Sequence, residues 1–355
     1  MTPSPIHILG LGNLGKLLAH SLRKHHPKLP ITLLFHRPSL LEEWNGAGRS
    51  IEIVRGGVSD TQSGFSHEDV SHNGSQIQQL IVATKTHATA KALQPLRGRL
   101  SPTSTLLFLQ NGIGTIDEVN TQVFPDPSSR PNYLAGIFNH GVYATSPFSS
   151  VHAGIADAVI GPVRSSNSPT NPPPHLHNSA LAHAIIACPE LSTSLVSAQD
   201  LLHTQLQKLT INAVINPLTV LFGCKNGKLF SNKAICTLIE HQIREISMIV
   251  KTIIATSHPS STESSVLAKF DVDRLRALVF DVGRKTAGNI SSMRQDRLAG
   301  RKTEIDYING YLVAQAGKAG VACPLNTRIV QLVKDGEDVS SERIGEVFGV
   351  ALQEG

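Results

Sequence analysis

Lys208, Asn212 and Asn216 stand four residues apart in the segment Lys208-Leu-Thr-Ile-Asn-Ala-Val-Ile-Asn-Pro-Leu-Thr219. Residues at that spacing share one face of an α-helix. The three form a polar stripe about 12 Å long at about 1.5 Å of rise per residue. The positions between them, Leu209, Ile211, Val214 and Ile215, are those a core would take. A lysine brings three donors, and each amide brings both donors and an acceptor. Burying such groups is costly unless they find partners. The stripe therefore reads as the lining of a cleft that holds a small polar ligand. A lysine at a helix edge running its stem out to solvent fits the same spacing, and the amides could serve the backbone around Pro217. Asn216 is the weaker of the two, since a residue before proline is conformationally restricted.

A second group of residues surrounds a glycine turn. Ile6-His-Ile-Leu predicts a short strand that enters Gly10-Leu11-Gly12-Asn13-Leu14-Gly15, and Lys16–Lys24 then has helical apolar spacing. A GxGxxG between a strand and a helix has the context that a dinucleotide site needs. Gly10 makes the turn, Gly12 lets backbone approach a pyrophosphate, and Gly15 packs helix on strand. The helix N-terminus then faces the phosphates. A glycine-rich turn without a ligand is the plainer alternative. The next strand, Ile31–Phe35, is followed by His36-Arg37-Pro38, with no acid to take a ribose 2′-hydroxyl. Arg37 can pair with a 2′-phosphate, which points to NADPH over NADH; a solvated surface arginine is the alternative. Lys85 and Asn111 follow the strands Leu80–Ala83 and Thr105–Leu109, at the carboxyl ends where ligands of open α/β sheets sit. Lys85 could equally be a solvated loop lysine, and Asn111 before Gly112 a turn residue.

These residues need two kinds of scaffold. Strand, helix and strand alternate through the first part of the chain, which implies a parallel sheet covered on both faces. Helical spacing between those strands runs from about Ala88 to Leu96. Tyr133–Phe138, Ser150–His152 and Ala156–Ile160 read as further strands at the far edge of that sheet. A helix over Ser179–Ala187 would close the domain. Residues 165–178, within SSNSPTNPPPHLHN, form a proline-rich segment that reads as an exposed insertion. From Gln199 the pattern is helical, with candidates at Gln199–Phe222, Asn232–Ser257, Val272–Ala287, Glu304–Gly317 and Asn326–Asp335. Pro217 should kink or break the first just after Asn216. The expected fold is an α/β Rossmann-like N-terminal domain over 1–192 with an all-α C-terminal domain over 193–355. Residues on both domains imply a cleft that closes on its ligands.

The bulk numbers agree with that plan. A chain of 355 residues exceeds what one core usually serves. It is 40% apolar and 17% charged, with a net charge of +5 spread along the chain. That suits an anionic small ligand and shows no nucleic-acid stripe. The four cysteines and 16 histidines show no metal spacing, so no metal is expected and the thiols fit a reducing compartment. No apolar run reaches the ~20 residues of a membrane span. No basic leader precedes the first strand, so a cytoplasmic location is expected, as a monomer or homodimer.

Taken together the motifs resemble the ketopantoate reductase (2-dehydropantoate 2-reductase) family over nearly the whole length. The segments that carry the resemblance are GLGNLG at 10–15, TKTH at 84–87, QNGIGT at 110–115, KLTINAVINPLT at 208–219, NISSMRQD at 289–296 and TEIDYINGY at 303–311. It implies a Rossmann domain followed by a helical domain. It also implies reduction of the C2 ketone of ketopantoate to D-pantoate with NADPH, on the way to pantothenate and coenzyme A. By the same resemblance Lys208 is the proton donor and Glu304 an active-site carboxylate that also lies against the cofactor. Asn212, Asn216 and Ser292 hold the substrate, and Asn111 reaches substrate or nicotinamide. Arg37 and Lys85 serve the cofactor. On residue type alone, Ser292 reads as a helix N-cap and Glu304 as a first-turn acid. Two other functions remain open: a related dehydrogenase for another 2-keto acid, and an inactive NADPH-binding regulator.

Overall fold

The computed structural model describes residues 4–72, 74–163, 179–257 and 264–351. The proline-rich segment expected at 165–178 lies outside the described residues. Among the described residues the strands are β1 (Ile6–Leu9), β2 (Ile31–Phe35), β3 (Ile51–Arg55), β4 (Val58–Gln62), β5 (Ser66–Asp69), β6 (Gln79–Val82), β7 (Thr105–Phe108), β8 (Asn132–Phe138), β9 (Gly141–Ser146), β10 (Ser149–Gly154), β11 (Ala158–Pro162) and β12 (Thr193–Leu195). The chain forms two compact units, one of residues 1–110 and 115–204, the other of 111–114 and 205–355.

The first unit is built on an eight-stranded sheet of order β12-β11-β8-β7-β6-β1-β2-β5. From β5 to β8 every pairing is parallel. The strands are short apolar runs, as burial on both faces requires. Alternate residues divide between two cores. Ile8, Leu33, Ile81 and Leu107 pack with Leu17, Leu18 and Leu22 of the Asn13–His25 helix. Leu9, Leu34, Val82 and Leu106 pack with Ala90, Leu93 and Val119 on the other face. Strand order reverses between β1 and β6, and the carboxyl ends of these two strands carry Gly10 and the Ala83–Lys85 segment. Open α/β sheets bind ligands at such a switch point.

One feature of this unit departs from the sequence reading. β8 and β11 do extend the sheet, with β11 antiparallel to β8. Ser150–His152 does not lie at that edge. It belongs to β10, in a separate four-stranded sheet of order β4-β3-β10-β9. Alternating burial along β10 identifies a strand but cannot say which sheet receives it. This small sheet is tied to the glycine-turn helix by Lys16. Its ammonium donates to the carbonyls of Ser146, Pro147 and Ser149 at 3.3, 3.1 and 3.1 Å, and burial pushes its pKa down to about 8.

The second unit is helical. Its principal helices are Ala198–Leu221, whose last part from Gln205 belongs here, Lys233–Ser257, Val272–Lys285, Asn309–Ala319 and Pro324–Asp335. The Lys233–Ser257 helix turns Leu238, Ile239, Ile243, Ile246 and Val250 inward at spacings of three and four. Asn226–Leu229, Ser264–Ala268, Ser292–Leu298 and Ile344–Phe348 are shorter helices that periodicity did not reveal. Of the kink or break expected at Pro217, the break does not occur: the helix runs through it to Leu221. The carbonyl that Pro217 leaves without a helical donor, that of Ala213, accepts the side-chain amides of Gln242 at 2.8 Å and Asn309 at 2.9 Å. The helix expected over Glu304–Gly317 is divided. A 3₁₀ turn, Ile305–Tyr307, is separated from the Asn309–Ala319 helix by Ile308, whose ψ of −90° lies outside the helical range.

Candidate active site

In the first unit the glycines do three different jobs. Gly10 has φ +97°, and a Cβ there would lie 2.6 Å from the Ala83 carbonyl carbon. A Cβ on Gly15 would lie 2.0 Å from the Gly10 carbonyl oxygen, so Gly15 sets the approach of helix to turn. A Cβ on Gly12 would meet nothing within 4 Å. Glycine at 12 therefore leaves an open space before the helix instead of relieving a clash. The helix that follows has no acid in its first turn. Its free N–H groups and the open approach fit a pyrophosphate. Leu11 and Leu14 are half-buried, and the Asn13 side chain donates to the Val142 carbonyl at 3.0 Å.

Arg37 lies in extended backbone ahead of the Pro38–Gly46 helix, with an exposed side chain. Its guanidinium meets Glu43 at 3.3 Å. An acid also stands beside the end of β2, contributed by another strand: β5 pairs Asp69 with Phe35. The side chain and backbone of Ser71 hydrogen-bond Asp69 and hold its carboxyl below the usual carboxylate range. Nothing in the linear sequence signals that neighbour, because β5 reads Ser-His-Glu-Asp and is only half-buried. Lys85 is exposed and precedes the 3₁₀ turn Thr86–Ala88. Gln110 fixes the nearby strand ends by donating to the carbonyls of Val82 and Thr84 at 2.9 and 3.2 Å.

The second unit gathers the other residues. Lys208, Asn212 and Asn216 all lie on the Ala198–Leu221 helix, the lysine helix below. Lys208 and Asn212 are half-buried and Asn216 is buried. Burial pushes the Lys208 ammonium down to about 8, and the Glu304 carboxylate partly offsets that fall. Glu304 is buried at 5% exposure, ahead of the 3₁₀ turn and not in the first turn of a helix. It caps nothing with its side chain there; its carboxylate accepts the side-chain amide of Asn111 at 3.2 Å.

Asn111 reaches Glu304 because the QNG turn is fastened to the Glu304 segment. Gly112 has φ +80°, and a Cβ there would lie 2.2 Å from the Tyr307 carbonyl oxygen. The next backbone N–H, that of Ile113, donates to the same oxygen at 3.0 Å. Glycine at 112 is needed for both its conformation and this approach. Ser292 is exposed and opens the Ser292–Leu298 helix, but it is not the N-cap. That role belongs to Ser291, whose hydroxyl accepts from the Arg294 N–H at 3.1 Å and meets Thr219 of the lysine helix at 2.7 Å. Ser291 passed unnoticed because two adjacent serines give the same capping signal.

The unit thus brings together an acid of near-neutral pKa, a buried carboxylate and three amides. Such a set can hydrogen-bond a carbonyl oxygen and protonate it as charge develops. Among the described residues no cluster of three or more metal-ligating side chains occurs, and no helix is long and apolar enough to cross a membrane.

Two family models match the chain, one after the other along its length. Residues 6–165 match the family model "Ketopantoate reductase PanE/ApbA" and residues 200–337 its "C terminal" counterpart. The chain is 32% identical over 352 residues to the "Probable 2-dehydropantoate 2-reductase" of Schizosaccharomyces pombe, covering 93% of this chain and 95% of the relative. It is 30% identical over 353 residues to a ketoisovalerate reductase of Gibberella fujikuroi, covering 88% and 78%. Its fold is similar to that of D-mandelate dehydrogenase, solved with NADH and anilino(oxo)acetate. The TM-score is 0.73 at 18% identity, covering 94% of this chain and 98% of that one.

Proposed function

The chain belongs to the ketopantoate reductase family of oxidoreductases, and on that premise we propose that it reduces 2-dehydropantoate to D-pantoate with NADPH. The observation that carries the reading is Lys208: a half-buried ammonium brought down to about 8, on one helix with Asn212 and Asn216. A general acid works best when its pKa lies near the working pH. NADPH, when bound at the glycine turn, supplies the hydride. Lys208 hydrogen-bonds the C2 oxygen, stabilises it as charge builds, and delivers the proton. Glu304 keeps Lys208 more basic than burial alone would leave it. Asn111 orients Glu304. Asn212, Asn216 and Ser292 hold the carboxylate and hydroxyl of the substrate. Gly10, Gly12 and Gly15 shape the phosphate turn, Arg37 takes the 2′-phosphate and Lys85 lies beside the cofactor.

The Gibberella fujikuroi relative supports a second reading, in which 2-ketoisovalerate is the substrate. The two keto acids differ by the 4-hydroxyl of ketopantoate and one methylene. A site that hydrogen-bonds that hydroxyl rejects the analogue lacking it, because buried amides are left unpaired. A site without such a bond discriminates by only about 10–200-fold per methylene. Steady-state oxidation of NADPH and of NADH, each with ketopantoate, 2-ketoisovalerate and phenylglyoxylate, separates the readings. The proposal expects the highest kcat/KM for ketopantoate with NADPH. A higher value for 2-ketoisovalerate would replace it with the second reading.

A further inference from the structure

We propose that Asn309 is a positioning residue for the lysine helix, acting through the Ala213 carbonyl; the inference rests on the catalytic reading of that helix. A proline inside a helix removes the donor that its i−4 carbonyl would have had. Here that carbonyl is Ala213 O, one residue past Asn212 and three before Asn216. A buried carbonyl without a donor costs free energy comparable to a lost hydrogen bond. It has two lone pairs, and two amides fill them: Gln242 Nε2 at 2.8 Å and Asn309 Nδ2 at 2.9 Å.

The second hydrogen of each amide is also committed. Asn326 Oδ1 accepts from Gln242 Nε2 at 3.2 Å and from Asn309 Nδ2 at 2.9 Å. Asn326 can face them with its oxygen because its Nδ2 donates to Glu245 at 2.7 Å. Glu245 further accepts the backbone N–H groups of Leu325 and Asn326, both at 2.9 Å, at the start of the Pro324–Asp335 helix. Gln242, Asn309 and Asn326 have no measurable exposure. One carboxylate at a helix N-terminus therefore fixes the direction of three amides: Asn326 donates to Glu245, and Gln242 and Asn309 each turn a donor to the Ala213 carbonyl at the proline gap. The oxygens of Gln242 and Asn309 meet no donor among the described residues, so both side chains serve the carbonyl as donors only.

Asn309 differs from Gln242 in where it sits. It is the first residue of its helix, five residues after Glu304 and directly after the backbone break at Ile308. Its bond to Ala213 O joins the segment that carries Glu304 to the turn of helix that carries Asn212 and Asn216. Loss of Asn309 lets the lysine helix and the Glu304 segment move independently, at the turn that the substrate contacts need rigid.

The test is a cycle between Asn309→Ala and Pro217→Ala. Pro217→Ala gives residue 217 an N–H, which can close the helical bond to Ala213 O and make the side-chain donors dispensable. In the wild-type background Asn309→Ala lowers kcat/KM for the keto acid by tenfold or more, with KM raised. The Kd for NADPH, from nucleotide fluorescence, stays within twofold. With Pro217→Ala present, most of that loss disappears. Equal losses in the two backgrounds, or unchanged kcat/KM after Asn309→Ala, overturn the proposal. Should Asn309→Ala fold only together with Pro217→Ala, that dependence is itself the predicted coupling; failure in both backgrounds overturns it. Wild-type protein that reduces no 2-keto acid would remove the catalytic reading. Hydrogen exchange of the peptide over 209–221 still decides the coupling. Faster exchange in Asn309→Ala, reversed by Pro217→Ala, supports it; unchanged exchange contradicts it.

Discussion

The side-chain amide of Asn111 donates to the carboxylate of Glu304 at 3.2 Å across 193 residues of sequence. The contact exists because Gly112 and Ile113 dock on the Tyr307 carbonyl. Glu304 in turn opposes the fall that burial imposes on the Lys208 ammonium. Asn111, Glu304 and Lys208 are therefore linked in series, by a hydrogen bond and then by charge.

Glu304→Gln removes the charge and keeps the shape. The lysine loses the group that raises its pKa, so its pKa falls below about 8. On the proposed mechanism the protonated form is the active one and is lost as pH rises through that pKa. The alkaline limb of kcat/KM should move to lower pH, and turnover at pH 7.5 should fall by about 100-fold, the lower end of the range for acid–base groups. Melting temperature, measured by scanning fluorimetry, should change far less. A large fall in melting temperature with intact specific activity of the folded fraction would point to a structural carboxylate.

Lys208→Met tests acid and stability together. Loss of the donor should lower kcat by about 10²–10⁴-fold. The depressed pKa means that the unfolded chain binds the proton more tightly than the folded one between about 8 and the ordinary lysine value. Folding stability from this group therefore rises with pH through that window. Removing it should leave stability at pH 7 equal or higher, readable by urea unfolding. A strongly destabilised Met variant would show that the ammonium is held by favourable contacts.

Gly12→Ala and Gly15→Ala should separate ligand from fold. A Cβ at 12 is free of contacts, whereas one at 15 would lie 2.0 Å from the Gly10 carbonyl oxygen. Gly12→Ala should fold normally and bind NADPH at least tenfold more weakly by fluorescence titration. Gly15→Ala should lose several degrees of melting temperature before any ligand is added. Equal NADPH affinity in wild type and Gly12→Ala would argue against a pyrophosphate at the turn.

Arg37→Ala should reduce the preference for NADPH over NADH. A charge-assisted bond to phosphate is worth about 1.5–3 kcal/mol, roughly a 10–100-fold loss in kcat/KM for NADPH. NADH should be little affected, since Asp69, beside Phe35, is still present. Glu43→Gln should act in the opposite direction by releasing Arg37 from its pair at 3.3 Å. Parallel losses for both nucleotides would remove Arg37 from the 2′-phosphate site.

The legible parts of the fold were those whose physics is local. The strands β1, β2, β6 and β7 are short, mostly apolar runs, β1 leading straight into the Gly10 turn, and the buried parallel sheet follows from them. The lysine stripe followed from a four-residue spacing. What remained hidden depends on partners remote in sequence. β4 and β5, Val-Ser-Asp-Thr-Gln and Ser-His-Glu-Asp, carry no apolar pattern and are fixed by their neighbours. The break at Ile308 is not signalled by residue type. That the helix runs unbroken through Pro217 is not readable locally, because the amides of Gln242 and Asn309 cannot be seen from the local sequence. Asp69 beside Phe35 is likewise a matter of strand pairing.

The central claim is that Lys208 is the acid that protonates the substrate oxygen. The pH dependence of kcat/KM for ketopantoate with NADPH, in wild type and Glu304→Gln, tests it most directly, because this parameter reports groups of the free enzyme. The account predicts a tenfold fall per pH unit above about 8 in wild type, and the same limb at lower pH in Glu304→Gln. A profile flat to pH 10, or a limb unmoved by the substitution, would contradict it.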